Sequence, residues 1–279
     1  MIPSFLITLR EGIEAALIVG IILSYLKKVG AGQLARPVYV GVGAGVLASV
    51  GAGVLFTAVS VEFEGRFEQV FEGATMLLAA AILTSMIVWM QRNSNAYSES
   101  LRKKVQVALS TKETYSLAAL AFVSIFREGI ETVLFLGSAS FTSSGVQVLI
   151  GGAIGLTAAL LIGLAILRYS VKLDLKAFFS ITGILLILFA AGLVAHGIHE
   201  FEEAGLVPPV VAHVYDINWL IDDHSDLGLM LTALFGYNGN PSLTEMLGYV
   251  GYWVLIAAWL YRDFTVSVLR RVFSTVRPA

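Results

Sequence analysis

Six ionisable residues stand inside two apolar runs of the sequence, spelled alike: Arg10-Glu11-Gly12-Ile13-Glu14 and Arg127-Glu128-Gly129-Ile130-Glu131. A charged group near the middle of a bilayer costs about 2.5–3.5 kcal/mol on insertion scales, so a chain that keeps such groups there has a use for them. On a helix, Glu11 and Glu14 share a face, and Arg10 lies four positions before Glu14, within pairing reach. Arg127, Glu128 and Glu131 repeat that geometry. At 1.5 Å per residue, Glu11 and Glu14 lie roughly 12–17 Å below the outer end of the first helix. Glu128 and Glu131, on a helix running the other way, lie about 9–14 Å below it. If these helices face each other, four carboxylates and two guanidiniums converge, with a formal charge of −2 when all are ionised.

Oxygen donors of that kind suit a hard divalent or trivalent cation. Glu11, Glu14, Glu128 and Glu131 are therefore the expected metal ligands, with Arg10 and Arg127 as supporting charges. The donor set alone does not choose among Fe, Mn, Ca and Mg. The plain alternative is an ion pair that locks helices together; two copies at matching depth, each with one Arg for two Glu, speak against it. Gly12 and Gly129 lack side chains and would open room beside the carboxylates for an ion or a neighbouring backbone.

Weaker candidates flank this set as capture or relay residues. Glu72 sits in Phe71-Glu72-Gly73 at the outer end of a third apolar run, where a solvated carboxylate near a helix N-terminus is almost as good a reading. His196, His199, Glu200 and Glu203 close a sixth run, placed to gather cations or simply to form a solvated helix end. Asp222-Asp223-His224-Ser225-Asp226 reads as an external acidic cluster that attracts cations by its field.

The composition says what holds these residues. The chain of 279 residues is 57% hydrophobic and 14% charged, with mean hydropathy +0.82, whereas soluble domains carry about a quarter charged residues. A net charge of −2 gives no reason to expect nucleic acid, and without cysteine there is no disulfide or thiolate metal site. A spanning helix needs roughly 20 apolar residues. Seven stretches are taken as spans: 3–26, 37–60, 70–90, 115–137, 146–167, 177–198 and the short 247–261. The first lacks a basic leader and is read as a retained helix. A polar segment lies at 91–114 and a longer one at 200–246, where 218–236 is a candidate interfacial helix.

Basic residues favour the cytoplasmic side. With the N-terminus outside, that side collects every Lys and Arg except Arg10 and Arg127, inside apolar runs, and Arg66. The C-terminus is then cytoplasmic and the outer connections are acidic. The repeated motif divides the chain into 1–90 and 115–199, each with three helices. An odd number makes the two units insert in opposite senses, an inverted repeat, followed by an external segment at 200–246 and a seventh helix at 247–263. The expected fold is thus an all-α polytopic membrane protein, with Gly41/Gly45 and Gly151/Gly155 set for close helix packing.

With these motifs in place, the sequence resembles the oxidase-dependent iron transporter family, the fungal high-affinity iron permeases and the bacterial EfeU-type permeases. The likeness rests on Leu9 to Leu17, Phe71-Glu72-Gly73, Arg127 to Glu131, Glu203-Ala204-Gly205 and Phe235-Gly236-Tyr237. The resemblance implies iron as transported substrate rather than cofactor, bound by the motif glutamates. It also implies a periplasmic or extracellular iron-oxidising or iron-binding partner that supplies ferric ion. The residues by themselves still permit a manganese or calcium transporter. A membrane di-iron enzyme fits less well, because its Glu-x-x-His pairs are missing from this sequence.

Overall fold

The computed structural model describes the backbone of residues 1–110, 114–169, 174–223 and 225–275. Side chains at 92–98, 100–102, 109–110, 114, 167–169, 175, 226 and 260–275 are not described. Of the residues used above, Lys112, Lys172, His224 and Arg277 lie outside the described residues. So do the side chains of Arg92, Arg102, Arg168, Asp226, Arg262, Arg270 and Arg271.

The described elements are helices: α1 (Ile2–Lys28), α2 (Ala35–Glu62), α3 (Arg66–Ser110), α4 (Thr114–Phe141), α5 (Gly145–Tyr169), α6 (Leu175–Glu203), the short α7 (Asp226–Phe235) and α8 (Leu243–Thr275). Pro near the start of α1 is tolerated because its missing N–H would have had no helical partner. The Asp174 carboxylate caps α6 by accepting from the Ala177 N–H at 3.0 Å. Four stretches are long and apolar enough to cross a membrane: Gly32–Glu62, Arg66–Gln91, Gly145–Ile166 and Lys176–Glu203. α1 and α4 match them in length but carry the charged motif residues in mid-run. Leu47, Val54 and Leu55 on α2 and Leu149, Leu160 and Leu161 on α5 face outward. In water that surface would be an association patch; in a multi-pass membrane protein it is lipid contact.

Helix pairing exchanges the two motif-bearing units. α1 packs along α5 and α4 along α2, while α3 packs on α6 and α1 on α4. Small residues set these approaches. A side chain on Gly155 of α5 would strike the Phe5 carbonyl and Thr8 hydroxyl of α1, and one on Gly41 of α2 would strike the Ala118 carbonyl of α4. Ala79 and Ala80 on α3, with Ala190 and Ala191 on α6, bring those two together inside the main core, closed by Ile7, Leu83, Phe135 and Leu186.

Three helices have bounds other than the apolar stretches suggested. The polar segment 91–114 is helical to Ser110, because it lacks Gly and Pro and is rich in helix formers that continue α3 beyond its apolar part. The expected helix at 218–236 shrinks to Asp226–Phe235. Ser225 starts it by accepting from the Gly228 N–H at 3.0 Å, and Gly236, at φ 67°, ends it. The last helix runs Leu243–Thr275, well past 247–263, with its apolar stretch at Leu243–Trp259.

Candidate metal-handling site

α1 and α4 cross with their motif faces together. Ligand oxygens of Glu11, Glu128 and Glu131 all lie within 4.8 Å of one another. Glu14 stands outside this trio, within electrostatic reach of Glu128 and Glu131. Helical spacing explains the pairing within each motif, but the meeting of the motifs comes from α1 leaning on α4 while Gly12 and Gly129 look elsewhere. A side chain on Gly12 would meet Ala159 of α5 at 2.6 Å. One on Gly129 would meet Ser49 of α2. These glycines therefore make room for neighbouring helices, the second of the two roles expected of them.

The arginines differ although their motifs are spelled alike. Arg10 is 1% exposed; its Nη1 donates to Glu11 Oε1 at 3.2 Å and its Nη2 stands 3.2 Å from Glu14 Oε1, an ionic contact without hydrogen-bond alignment. The same guanidinium donates to two thioethers on α3, Met86 Sδ at 3.2 Å and Met90 Sδ at 3.6 Å. Arg127 has a 54% exposed side chain and donates from Nε to Glu131 Oε1 at 2.8 Å. Met86 and Met90 escaped the sequence reading because a methionine in an apolar run carries no sign that it borders a charge.

Several carboxylate oxygens here are buried without a hydrogen-bond donor among the described residues: Glu11 Oε2, Glu128 Oε2 and Glu131 Oε2. A carboxylate in that condition is costly unless a cation or a proton satisfies it. Two guanidiniums balance two of the four glutamates, and a divalent ion would balance the remaining formal charge of −2. The chemistry open to this arrangement is reversible oxygen ligation of a cation.

Nearer the acidic end of the bundle, Glu72 lies well inside α3, not in its first turn. It feels the charges of Glu68, Glu200 and Glu203. Glu203 joins helices, accepting from Gln69 Nε2 at 3.0 Å and pairing with His199 Nε2 at 3.2 Å. His199 also contacts Glu245 through Nδ1, whereas the ring of His196 turns back to the Gly192 carbonyl at 2.9 Å. Asp223, expected in an external acidic cluster, accepts from the Gly239 N–H at 2.8 Å and so ties down the loop before α8. Nothing local in the sequence marks Glu245, because its histidine partner comes from α6.

Residues 1–272 of the chain match the iron permease FTR1 family. A protein named ferrous iron permease EfeU from Yersinia pestis is 37% identical over 254 residues, covering 90% of each chain. The protein of that name from Escherichia coli O6:K15:H31 is 34% identical over 248 residues, 88% of this chain and 90% of the relative. No solved structure matches.

Proposed function

Because the chain belongs to the iron permease FTR1 family, we propose that it imports iron across the cytoplasmic membrane, with Glu11, Glu14, Glu128 and Glu131 as transient ligands. The observation that carries this reading is the approach of Glu11, Glu128 and Glu131 within 4.8 Å from two different helices. The relatives' names describe permeases, so iron is read as cargo and the chain as a transporter without a chemical turnover of its own.

The exchange of helix partners between the two motif-bearing units supports an inverted repeat of three helices each, completed by a seventh, with the N-terminus outside. Iron then meets His199, Glu200, Glu203 and Glu72 on its way from the outer face to the motif glutamates. A buried ion held by several carboxylates leaves slowly unless ligands are withdrawn. Arg10 and Arg127, already paired with Glu14 and Glu131, supply the competing charge as the units move against each other. The alternate binding of each glutamate to iron and to arginine is the proposed release step.

Two observations favour ferrous ion. The relatives are named ferrous iron permeases, and a divalent charge balances the formal −2 of the motif set. The ferric reading, with an external iron-oxidising partner, has the hardness of an all-oxygen donor set in its support.

The test is uptake of radioactive iron by cells or proteoliposomes, offered as ferrous ion under ascorbate or as ferric citrate. Glu11→Gln and Glu128→Gln should fall below about a tenth of the wild-type rate, as losses of metal-site groups do, and ascorbate should raise wild-type uptake. Wild-type rates in either variant would remove the glutamate mechanism, and a preference for ferric citrate would restore the oxidising partner. Equal inhibition by manganese or calcium at matched free concentrations would move the reading to a general hard-cation transporter.

A further inference from the structure

A second group of ligand atoms converges where the end of α6 meets the start of α8. One ligand atom each from His199, Glu202 and Glu245 lies within 4.8 Å of the other two. Glu245 is only 3% exposed, while His199 and Glu202 are half-buried. His199 and Glu245 line a cavity of about 390 Å³ that His196, Tyr215, Tyr237 and Asn238 also wall. An imidazole and a buried carboxylate thus meet at the edge of a roomy, mostly apolar cavity, with Glu202 beside them but outside its wall, away from the α1–α4 glutamates.

The local sequence offers Glu245 a structural role that its side chain does not take. Ser242-Leu243-Thr244-Glu245 is spelled as a capping box, in which the glutamate would turn back to the N–H of the capping serine. Only half of that box forms: Ser242 Oγ accepts from the Glu245 N–H at 3.0 Å. The Glu245 carboxylate points to α6 instead, with Oε1 on His199 Nδ1 and Oε2 accepting from Asn238 Nδ2 at 2.8 Å. The Ser242 hydroxyl in turn donates to Glu202 Oε1 at 3.0 Å. On its other side, His199 Nε2 meets Glu203 Oε1 at 3.2 Å. One ring nitrogen toward a ligand position and the other held by a carboxylate is the arrangement that orients a metal-binding histidine.

We propose that His199, Glu202 and Glu245 form a second cation site, which takes a divalent first-row metal such as ferrous iron through His199 Nδ1 and two carboxylates. Binding replaces the His199–Glu245 contact with two bonds to the metal. The ring must be neutral at Nδ1, so any proton there leaves to solvent, while Glu203 keeps the Nε2–H in place. Two carboxylates and a neutral imidazole balance a divalent ion. Imidazole suits first-row transition metals, whereas magnesium and calcium prefer oxygen throughout. This site therefore discriminates where the all-carboxylate set on α1 and α4 does not. Its position on the outer side rests on the orientation proposed above; its existence does not.

Mn²⁺ binding to the full chain in lipid nanodiscs tests the proposal, with stoichiometry read by equilibrium dialysis and coordinated nitrogen by pulsed electron paramagnetic resonance. The wild type should hold two ions per chain, one showing directly bound imidazole nitrogen. Glu245→Gln keeps the shape and the amide contacts of the buried side chain; it and His199→Ala should each leave one ion and no nitrogen coupling. Glu11→Gln should also leave one ion, with the nitrogen coupling intact. Retention of two ions and the coupling in both Glu245→Gln and His199→Ala would overturn the site. So would a single wild-type ion without bound nitrogen. If Glu11→Gln alone binds like the wild type, the α1–α4 reading fails while this one stands. An unchanged melting temperature in Glu245→Gln separates loss of the ion from loss of the fold.

Discussion

Replacing Arg10 and Arg127 separately with methionine should have very different consequences, although their five-residue motifs are identical. Arg10 is 1% exposed and touches Glu11 and Glu14 at 3.2 Å each. Arg10→Met leaves those two carboxylates buried without a cation, and breaking a buried pair in this way costs about 3–5 kcal/mol. Arg127 is 54% exposed and makes an i,i+4 pair with Glu131 at 2.8 Å. Its guanidinium is far less enclosed than that of Arg10, so Arg127→Met should cost less than Arg10→Met. The assay is unfolding in mixed dodecylmaltoside–SDS micelles followed by the fluorescence of the 4 tryptophans. Ferrous ion should also stabilise Arg10→Met more than the wild type, because the formal charge it meets falls from −2 to −3, and an ion that binds only the folded state stabilises by mass action. Equal losses from the two substitutions, or a larger one at Arg127, would refute the argument from burial.

Gly155→Val should destabilise the α1–α5 contact by about 1–3 kcal/mol through overpacking against the Phe5 carbonyl. Gly43→Val, on the exposed side of α2 with nothing within 4 Å, should stay within about 0.5 kcal/mol of the wild type in the same unfolding assay. Gly236→Ala should lower the melting temperature, since φ 67° costs a side-chain-bearing residue about 1–2 kcal/mol and its Cβ would press on the Gly192 backbone. The double change Met86→Leu with Met90→Leu conserves volume, so stability should change by less than about 1.5 kcal/mol. It removes the sulfur acceptors that anchor Arg10, and a measurable change in ferrous-ion affinity by titration is expected; an unchanged affinity would show that the thioethers only pack.

The membrane class was legible because it follows from composition and run length, which need no tertiary information. The motif glutamates were legible for a related reason: charges inside an apolar run stand out against the cost of keeping them there. Helix limits were read less well where the signal was hydropathy. Residues 91–110 are polar yet helical, since loss of apolar character ends a membrane span without ending the hydrogen-bond ladder. Asp223 looked like part of a cation-attracting cluster but holds the Gly239 N–H, a partner too distant in sequence for a local reading.

What the sequence by itself determined is the inventory: two identical sets of one arginine and two glutamates, spaced to share helix faces, in a chain made for lipid. Those features depend on residue type and helical period alone. Only the tertiary structure decided that Arg10 is buried against Met86 and Met90 while Arg127 stays exposed, and that Glu245 reaches His199 instead of closing its own capping box. Burial and partner choice depend on which helices lie alongside, and identical local strings acquire different neighbours once the chain packs.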